Sequence, residues 1–234
     1  TPLYSSAASD VYKRQGKVGW FGNLVVERHY RKKGAGSLLV QRAIQYLKSR
    51  EVETIGLYAY ADTVPFYEKL GFKYDSDFTV LRGKGMSYSA KANVARVKEH
   101  DMQSIFDCDR LCFGDDRRKL LKPLLVASQN LSYMSAENGR IVGYLMAKVF
   151  DETAELGPLV CQQGRSETAI NLLNTMLGSL EGFEVSICIS NMESDVVNAL
   201  KRLKFREDFP VARMFSGPSI ASTCIYAAES LERG

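Results

Sequence analysis

Apolar and polar positions along the chain form two successive series of elements. In the first series, apolar runs alternate with stretches of helical spacing, which predicts the order β-α-β-α-β. The predicted strands are residues 20–26, 54–60 and 78–81, and the predicted helices are residues 39–50 and 64–70. Gly71 follows the second helix, where a glycine readily ends a helix in the left-handed conformation.

The second series is longer and predicts the order β-α-α-β-β-β-α-β-α-β-β. Six of its seven strands are predicted at residues 92–97, 131–136, 140–150, 154–160, 183–189 and 222–228, and the other of the two final strands is given no bounds. Its predicted helices are residues 101–112, 116–127, 166–180 and 194–203. Asn138-Gly139 joins two of these strands and is a strong hairpin signal. Strands interspersed with helices in this order predict a mixed α/β sheet.

The two series share their later elements. The helix endings Leu70-Gly71-Phe72 and Leu203-Lys204-Phe205 correspond, and each follows a strand, a turn, a helix and a second strand. We therefore predict two divergent copies of one fold, of which the first lacks its front. Such a truncation would leave a sheet edge uncovered, and an uncovered edge favours self-association, so a homo-oligomer is possible.

The glycines of residues 82–86 indicate a boundary between the copies. We accordingly predict domains at residues 16–86 and 87–234. Residues 1–15 show no periodicity and resemble a translated adaptor, so we exclude them from the fold prediction.

Charge is concentrated in one segment. The chain has 31 basic and 27 acidic residues, a net charge of +4, and residues 27–50 alone carry +6, which leaves −2 elsewhere. A local basic site of this kind favours a compact anion over a nucleic acid. No apolar run approaches the roughly 18 residues of a membrane span.

The five cysteines are widely spaced, odd in number and without a CxxC pair. This pattern predicts no disulfide framework and no zinc site, and it indicates a reducing, cytoplasmic compartment. With only two histidines, a metal site is not expected. The cysteines are interpreted as small apolar residues. Asp115, Asp116 and Arg117 could form a cluster that recognises a substrate acting as an acceptor, but a helix N-cap with flanking charges is the favoured interpretation.

The segment from Val26 to Ser37 carries the strongest chemical signal. It leaves a predicted strand and opens a helix, whose N-terminus presents free backbone N–H groups and a partial positive charge. Gly34 and Gly36 allow a ligand to approach the backbone. Full charges come from Arg31, Lys32 and Lys33. Together these features predict a pyrophosphate cradle, although the spacing fits neither a Walker A loop nor a dinucleotide GxGxxG.

Arg-x-x-Gly-x-Gly, residues 31–36, resembles the coenzyme A pyrophosphate loop of GCN5-related N-acetyltransferases (GNAT). Arg28 stands where the family pattern has proline, and Lys32 stands where it has a glycine. Downstream, Phe-Tyr-Glu-Lys-Leu-Gly-Phe, residues 66–72, resembles the characteristic helix of the family. The resemblance implies tandem GNAT-like α/β folds, the second of them degenerate.

The resemblance also implies roles for individual residues. The strand ending at Leu24, Val25 and Val26 would splay from its neighbour and expose backbone groups to the pantetheine arm. The pyrophosphate would meet the loop residues Arg31, Lys32, Lys33, Gly34, Ala35, Gly36 and Ser37. Tyr67 would protonate the departing thiolate. Acetyl-CoA would be the donor, and a small-molecule or peptide primary amine would be the acceptor. No general base is assigned, although Glu27 and His29 lie near the loop.

Residues 88–234 resemble the C-terminal acetyltransferase-like domain of two-domain members, through Phe113-Gly114-Asp115-Asp116-Arg117 and Gly157-Pro158-Leu159-Val160. The cradle position there, residues 160–166, lacks the glycine pair, and Leu200 stands where the first copy has Tyr67. We expect this copy not to bind coenzyme A productively. The alternative for the whole chain is a non-catalytic coenzyme A binding or interaction protein.

Overall fold

The computed structural model of the chain describes residues 12–88, 93–220 and 224–234. Its strands are β1 Tyr12–Gln15, β2 Val18–Phe21, β3 Thr54–Ala59, β4 Lys73–Lys84, β5 Val94–Arg96, β6 Leu131–Glu137, β7 Arg140–Phe150, β8 Thr153–Gln162, β9 Glu184–Ser190, β10 Arg206–Ser216 and β11 Cys224–Ala227. Its helices are α1 Ala35–Ser49, α2 Val64–Glu68, α3 Met102–Phe113, α4 Arg118–Val126, α5 Ser166–Ser179 and α6 Ser194–Arg202. The predicted mixed α/β fold class is confirmed, and the second series has the predicted order.

The first series contains one strand that was not predicted. β1 pairs antiparallel with β2, Tyr12 lying opposite Phe21 and Gln15 opposite Val18. Part of the segment that sequence reasoning excluded therefore belongs to a sheet, because strand pairing is decided by the partner strand as much as by local periodicity. Residues 1–11 lie outside the described residues.

The chain divides into two compact units. Unit 1 comprises the residues up to Ser76 together with Val211–Ser219 and Leu231–Gly234, and unit 2 comprises Asp77–Pro210 and Ile220–Ser230. The predicted domain limits at residues 16–86 and 87–234 follow chain order and remain a prediction.

Unit 1 is built on the strand order β1-β2-β3-β10. β2 and β3 run parallel, and the end of β10, Ala212–Ser216, pairs antiparallel with Ile55–Ala59 of β3. Helix α1 covers this sheet with Val40, Ala43 and Leu47, all of them buried. Their spacing of three and four residues is the pattern that predicted the helix.

Unit 2 is built on the strand order β4-β9-β11-β8-β7-β6-β5. β6, β7 and β8 form an antiparallel meander, and β8 runs parallel to the first half of β9. Helix α5 packs into its main core with buried residues on most of its surface, among them Ala169, Leu172, Leu173, Met176 and Leu177. This explains why α5 is apolar over more than one face.

The late strands of the two halves are exchanged between the units. The N-terminal half of the chain supplies Phe78–Lys84 of β4 to unit 2, where they pair with Glu184–Ser190 of β9. The C-terminal half supplies the end of β10 to β3 in unit 1. The glycines that suggested a boundary lie inside this arrangement: Gly83 faces the Phe205 ring, and Gly85 meets the Leu180 carbonyl. A side chain would not fit at either position, which gives both glycines a packing reason.

The repeat predicted from the helix endings is present in the turn geometry. The N–H of Phe72 donates to the Tyr67 carbonyl and that of Phe205 to the Leu200 carbonyl, each at 3.1 Å. The residues between them, Gly71 with φ of +90° and Lys204 with φ of +69°, both adopt the left-handed conformation. Leu200 therefore stands in α6 where Tyr67 stands in α2.

The cysteine prediction is wrong for one pair. Cys112 on α3 and Cys224 on β11 form a disulfide with their Cα atoms 5.5 Å apart. The two residues are 112 positions apart in sequence, so only the fold of unit 2 brings them together. Cys108, Cys161 and Cys188 are buried and lie outside any disulfide, as small apolar residues would.

A hydrogen-bonded carboxylate in unit 1 fastens β10 and the following turn. Asp75 accepts bonds from Ser76 at 2.7 Å, Ser219 at 2.7 Å and the Arg213 Nε at 2.8 Å. Burial alone would raise the pKa of Asp75, but these hydrogen bonds and the Arg213 charge outweigh burial and lower it. The folded state therefore prefers the ionised carboxylate.

We expect Asp75→Asn to destabilise unit 1 by about 1 kcal/mol at pH 7. The stabilisation by Asp75 is complete above the unfolded-state pKa of about 3.9 and is lost as the pH falls through the lowered native pKa. Urea unfolding followed by fluorescence of buried Trp20, the single tryptophan, measures the difference. The exposed Asp62→Asn is the control. A difference that persists unchanged at pH 3 would contradict this role.

No helix in the described part of the chain is long and apolar enough to cross a bilayer. Among the same residues, no group of three or more histidine, cysteine and acidic side chains is placed to hold a metal ion.

Candidate functional site

The site in unit 1 begins where two parallel strands separate. β2 pairs with β3 only from Val18 to Trp20, opposite Thr54 to Gly56. Residues 22–27 then continue outside any strand, whereas the sequence predicted a strand up to residue 26. This segment no longer pairs with β3, so the backbone groups of Leu24–Val26, apart from the Val26 carbonyl that Arg31 bonds, are available to a ligand. Val25 is 73% exposed despite its apolar side chain.

A turn and a helix N-terminus follow the separated segment. Arg28–Tyr30 form one turn of 3₁₀ helix, and Gly34, with φ of +84°, caps α1 in the left-handed conformation. The first intrahelical bond runs from the Leu38 N–H to the Gly34 carbonyl at 3.0 Å. The preceding amides of the first turn point out of the helix end, where they favour an anion.

The Arg31 side chain connects the loop to the separated segment. Its Nε donates a hydrogen bond of 2.8 Å to the Val26 carbonyl. The guanidinium is thereby held at the mouth of the loop beside Lys32, and both side chains are exposed. Two full positive charges thus lie next to the helix N-terminus.

These elements enclose a groove of about 780 Å³. Nine of the predicted site residues line it, namely Leu24, Val25, Val26, Arg31, Lys32, Gly34, Gly36, Ser37 and Tyr67. Lys33 and Ala35 do not line it. Thr63 and Phe66 also line the groove and were not predicted as site residues. Thr63 directly precedes α2, and Phe66 belongs to the motif of residues 66–72 that contains Tyr67. A Cβ at Gly36 would lie 3.4 Å from the Phe66 ring, so a larger side chain there would occupy the groove.

Tyr67 lies at the apolar end of the groove on α2. Its ring makes edge contacts with Phe21, Phe66 and Phe72, at centroid distances of 6.5, 5.0 and 5.8 Å. Burial raises the pKa of Tyr67 above its ordinary value of 10.0. The phenol is therefore protonated at neutral pH. Among the described residues none hydrogen-bonds the hydroxyl, so its proton can be given to a ligand.

Glu27 and His29, the groups nearest the loop that could act as a base, pair with each other. The distance from His29 Nδ1 to Glu27 Oε1 is 3.1 Å, and both side chains are exposed. Neither residue lines the groove. The geometry therefore assigns neither of them as the base.

Unit 2 has a different structure at the corresponding turn. Gly164, with φ of +78°, is the glycine of the β8–α5 loop, and Arg165 pairs with Glu137. Leu200, at the position of Tyr67, is fully buried. The second copy thus has one glycine where the first has a pair, and a buried leucine where the first has the tyrosine.

The favoured interpretation of Asp115–Arg117 requires correction at Arg117. The Asp116 carboxylate accepts the Arg118 N–H at 2.8 Å, as expected at the start of a helix. Arg117 is instead 1% exposed and forms a two-pronged ion pair with Asp109 on α3. Burial would lower the pKa of Arg117, but the Asp109 charge outweighs burial and raises it. A local capping pattern does not reveal a partner eight residues away on another helix.

The sequence and fold match known acetyltransferases. The family model for an acetyltransferase (GNAT) domain matches residues 88–227, and that of the acetyltransferase (GNAT) family matches residues 6–72. The chain is 24% identical over 196 residues to the uncharacterized N-acetyltransferase YitH of Bacillus subtilis, covering 82% of this chain and 68% of that one. A second relative, the uncharacterized N-acetyltransferase ycf52 of Pyropia yezoensis, is 38% identical over 55 residues, 24% of this chain and 32% of that one.

Solved structures share the fold. A putative acetyltransferase from Pyrococcus horikoshii superposes with a TM-score of 0.75 at 23% identity, covering 95% of this chain and 74% of that chain. A GCN5-related N-acetyltransferase from Sphaerobacter thermophilus gives 0.59 at 16% identity, covering 88% and 75%. The tandem arrangement expected from the sequence is confirmed, and the chain belongs to the GNAT acetyltransferase family.

Proposed function

We propose that this chain transfers the acetyl group of acetyl-CoA to a primary amine, with the donor bound in the unit 1 groove. The observation that supports this is the convergence of three features on one groove. These are the separated segment Leu24–Val26, the N-terminus of α1 at Gly34, and the Tyr67 phenol. Each feature suits a different part of one donor molecule.

In this proposal the pyrophosphate meets the amides of the first turn of α1 and the charges of Arg31 and Lys32. Backbone N–H groups at a helix end bind phosphate groups without requiring a particular side chain. The pantetheine arm runs along the backbone of Leu24–Val26, whose hydrogen-bonding groups are released from β3. The thioester then lies at the apolar end beside Tyr67.

The transfer is a direct attack in a ternary complex. The amine nitrogen forms a bond to the thioester carbonyl carbon, and the carbon–sulfur bond breaks. The coenzyme A thiolate takes the Tyr67 proton, the amine loses its own proton to solvent, and the Tyr67 phenolate regains a proton from solvent before the next turnover. A protonated phenol is suited to this donation because its raised pKa keeps it neutral at physiological pH. A small-molecule or peptide amine is the proposed acceptor.

Binding of the donor is tested by calorimetric titration of acetyl-CoA into the chain and its Gly34→Glu variant. Gly34 has open space around its Cα, so a side chain does not clash, but a carboxylate there faces the pyrophosphate. Two anionic groups a few ångströms apart at a partly solvated site lower the affinity by about 30-fold.

Two controls separate charge from backbone strain. Gly34→Gln carries the same strain at φ of +84° without the charge and should lose only a few-fold in affinity. Gly164→Glu in unit 2, with φ of +78° and equally open space, should bind acetyl-CoA as the unaltered chain does. Equal affinity of Gly34→Glu and the unaltered chain would exclude the groove as the donor site. Binding without thiol release over a panel of amines would favour a non-catalytic coenzyme A binding protein.

A further inference from the structure

The sheet of unit 2 contains its own separation of parallel strands. β8 and β9 pair only from Thr153–Leu156 opposite Glu184–Ile187. From Leu159 onward β8 no longer pairs with β9. This is the position equivalent to the separation of β2 and β3 in unit 1, which in the proposed function receives the pantetheine arm.

In unit 2 the gap is filled by protein. Cys224–Ala227 of β11 pair antiparallel with Leu159–Gln162 of β8. On the other side Ala227 lies opposite Ile189, and the Ala228 N–H donates to the Cys188 carbonyl at 2.9 Å. The backbone groups that a pantetheine arm would need are therefore bonded to the inserted strand.

The inserted strand fits tightly. Residues 225–230 are each at most 5% exposed. At the point of separation Gly157 faces the Ala228 carbonyl, and any side chain at Gly157 would overlap it. The Glu229 carboxylate lies 2.9 Å from Lys148 Nζ, which also pairs with Glu155 at 2.7 Å.

Both ends of the strand are attached to the surrounding unit. Glu229 attaches one end through Lys148. At the other end Cys224 is bonded to Cys112 of α3, and between them the Tyr226 hydroxyl accepts a hydrogen bond of 3.0 Å from Arg117. Of these three contacts the disulfide is the covalent one, and a reductant opens it without changing the charges of the other two.

We propose that the gap in the unit 2 sheet is a binding site for an extended peptide strand, that β11 is its ligand in place of an acyl-CoA, and that the Cys112–Cys224 disulfide fastens β11 there. The added strand supplies backbone hydrogen bonds to both neighbours, as in β-strand addition. A dithiol such as dithiothreitol opens the fastening: the sulfur–sulfur bond breaks, each cysteine gains a hydrogen, and the dithiol becomes a cyclic disulfide.

Hydrogen–deuterium exchange of the full chain, read by mass spectrometry, tests the proposal without any coenzyme. In the oxidised chain we expect the amides of residues 225–228 to be as protected as those of Thr153–Leu156. After reduction they should exchange at least about tenfold faster, because one attachment of the strand is lost, whereas Thr153–Leu156 should be unchanged. Cys224→Ser should match the reduced chain and no longer respond to dithiothreitol.

Two results would overturn the proposal. Exchange of residues 225–228 in the oxidised chain as fast as in the exposed Asn138-Gly139 turn would show that β11 is not inserted. Unchanged protection after reduction, or in Cys224→Ser, would show that the disulfide does not fasten it. Acetyl-CoA titrated into oxidised Gly34→Glu should reveal no second site. Failure of the proposed function in unit 1 would leave the exchange results unaffected, so the two failures can be told apart.

Discussion

Tyr67→Phe is expected to lower kcat for acetyl transfer by about 10²- to 10⁴-fold while leaving the affinity for acetyl-CoA within about twofold. The substitution removes only the hydroxyl, so the ring keeps its edge contacts with Phe21, Phe66 and Phe72. Without the phenol the coenzyme A thiolate must leave unprotonated or wait for a proton from water. Thiol release measured over a panel of amines, together with calorimetry of donor binding, gives both quantities.

The pH dependence distinguishes a proton donor from a packing residue. Both chains share the pH dependence of the amine acceptor, so the ratio of their rates isolates the phenol. Because burial raises the pKa of Tyr67 above 10.0, the ratio of the rate of the unaltered chain to that of Tyr67→Phe should stay constant through pH 9 and fall only above pH 10. Tyr74→Phe, at an exposed tyrosine of β4, is the matched control and should retain the rate of the unaltered chain. An unchanged kcat in Tyr67→Phe would exclude Tyr67 as the proton donor.

The second large effect concerns stability. Arg117→Met should destabilise unit 2 by about 3–5 kcal/mol, because it leaves the Asp109 carboxylate buried without its cation. Asp109 is 1% exposed, and the hydroxyl of Tyr144 also donates to it. Burial and the neighbouring Asp109 charge both raise the pKa of Tyr144, so its hydroxyl is a hydrogen-bond donor at neutral pH.

The neighbouring arginine provides the control. Arg118 lies over the Phe106 ring at 5.2 Å but is exposed, so Arg118→Met should change the stability by less than about 1 kcal/mol. Asp109→Leu combined with Arg117→Met should recover at least about 1 kcal/mol relative to Arg117→Met, since the buried charge is then gone. Hydrogen exchange of α3 and β7 amides as a function of denaturant measures unit 2 separately from unit 1. A loss below 1 kcal/mol for Arg117→Met would show that the ion pair is not needed for the fold.

The most local features were the most predictable. The apolar spacing of Val40, Ala43 and Leu47 predicted α1, and the basic loop was predicted to open that helix, as it does at Gly34. A loop and the helix it opens are adjacent in sequence, so their chemistry can be recognised before the fold is known. The same holds for the turn shared by Tyr67–Phe72 and Leu200–Phe205, which revealed the repeat.

Features that depend on distant partners were not predictable. β1 was excluded because its pairing with β2 has no periodic signature. The exchange of β4 and β10 between the units pairs strands that lie at least 100 residues apart along the chain, so no local pattern predicts it. Arg117 was interpreted as part of a local capping pattern, since the sequence does not show that the fold places it against Asp109 on another helix.

The sequence alone thus determined the family resemblance, the two-copy organisation and the charge of the loop before α1, because each depends on residues close together along the chain. The tertiary structure decided which strands pair, which charges are buried and where cysteines meet. It alone joined Cys112 to Cys224 and put β11 into the gap between β8 and β9. The physical reason is that non-local contacts between complementary surfaces depend on the whole fold, and no short pattern encodes them.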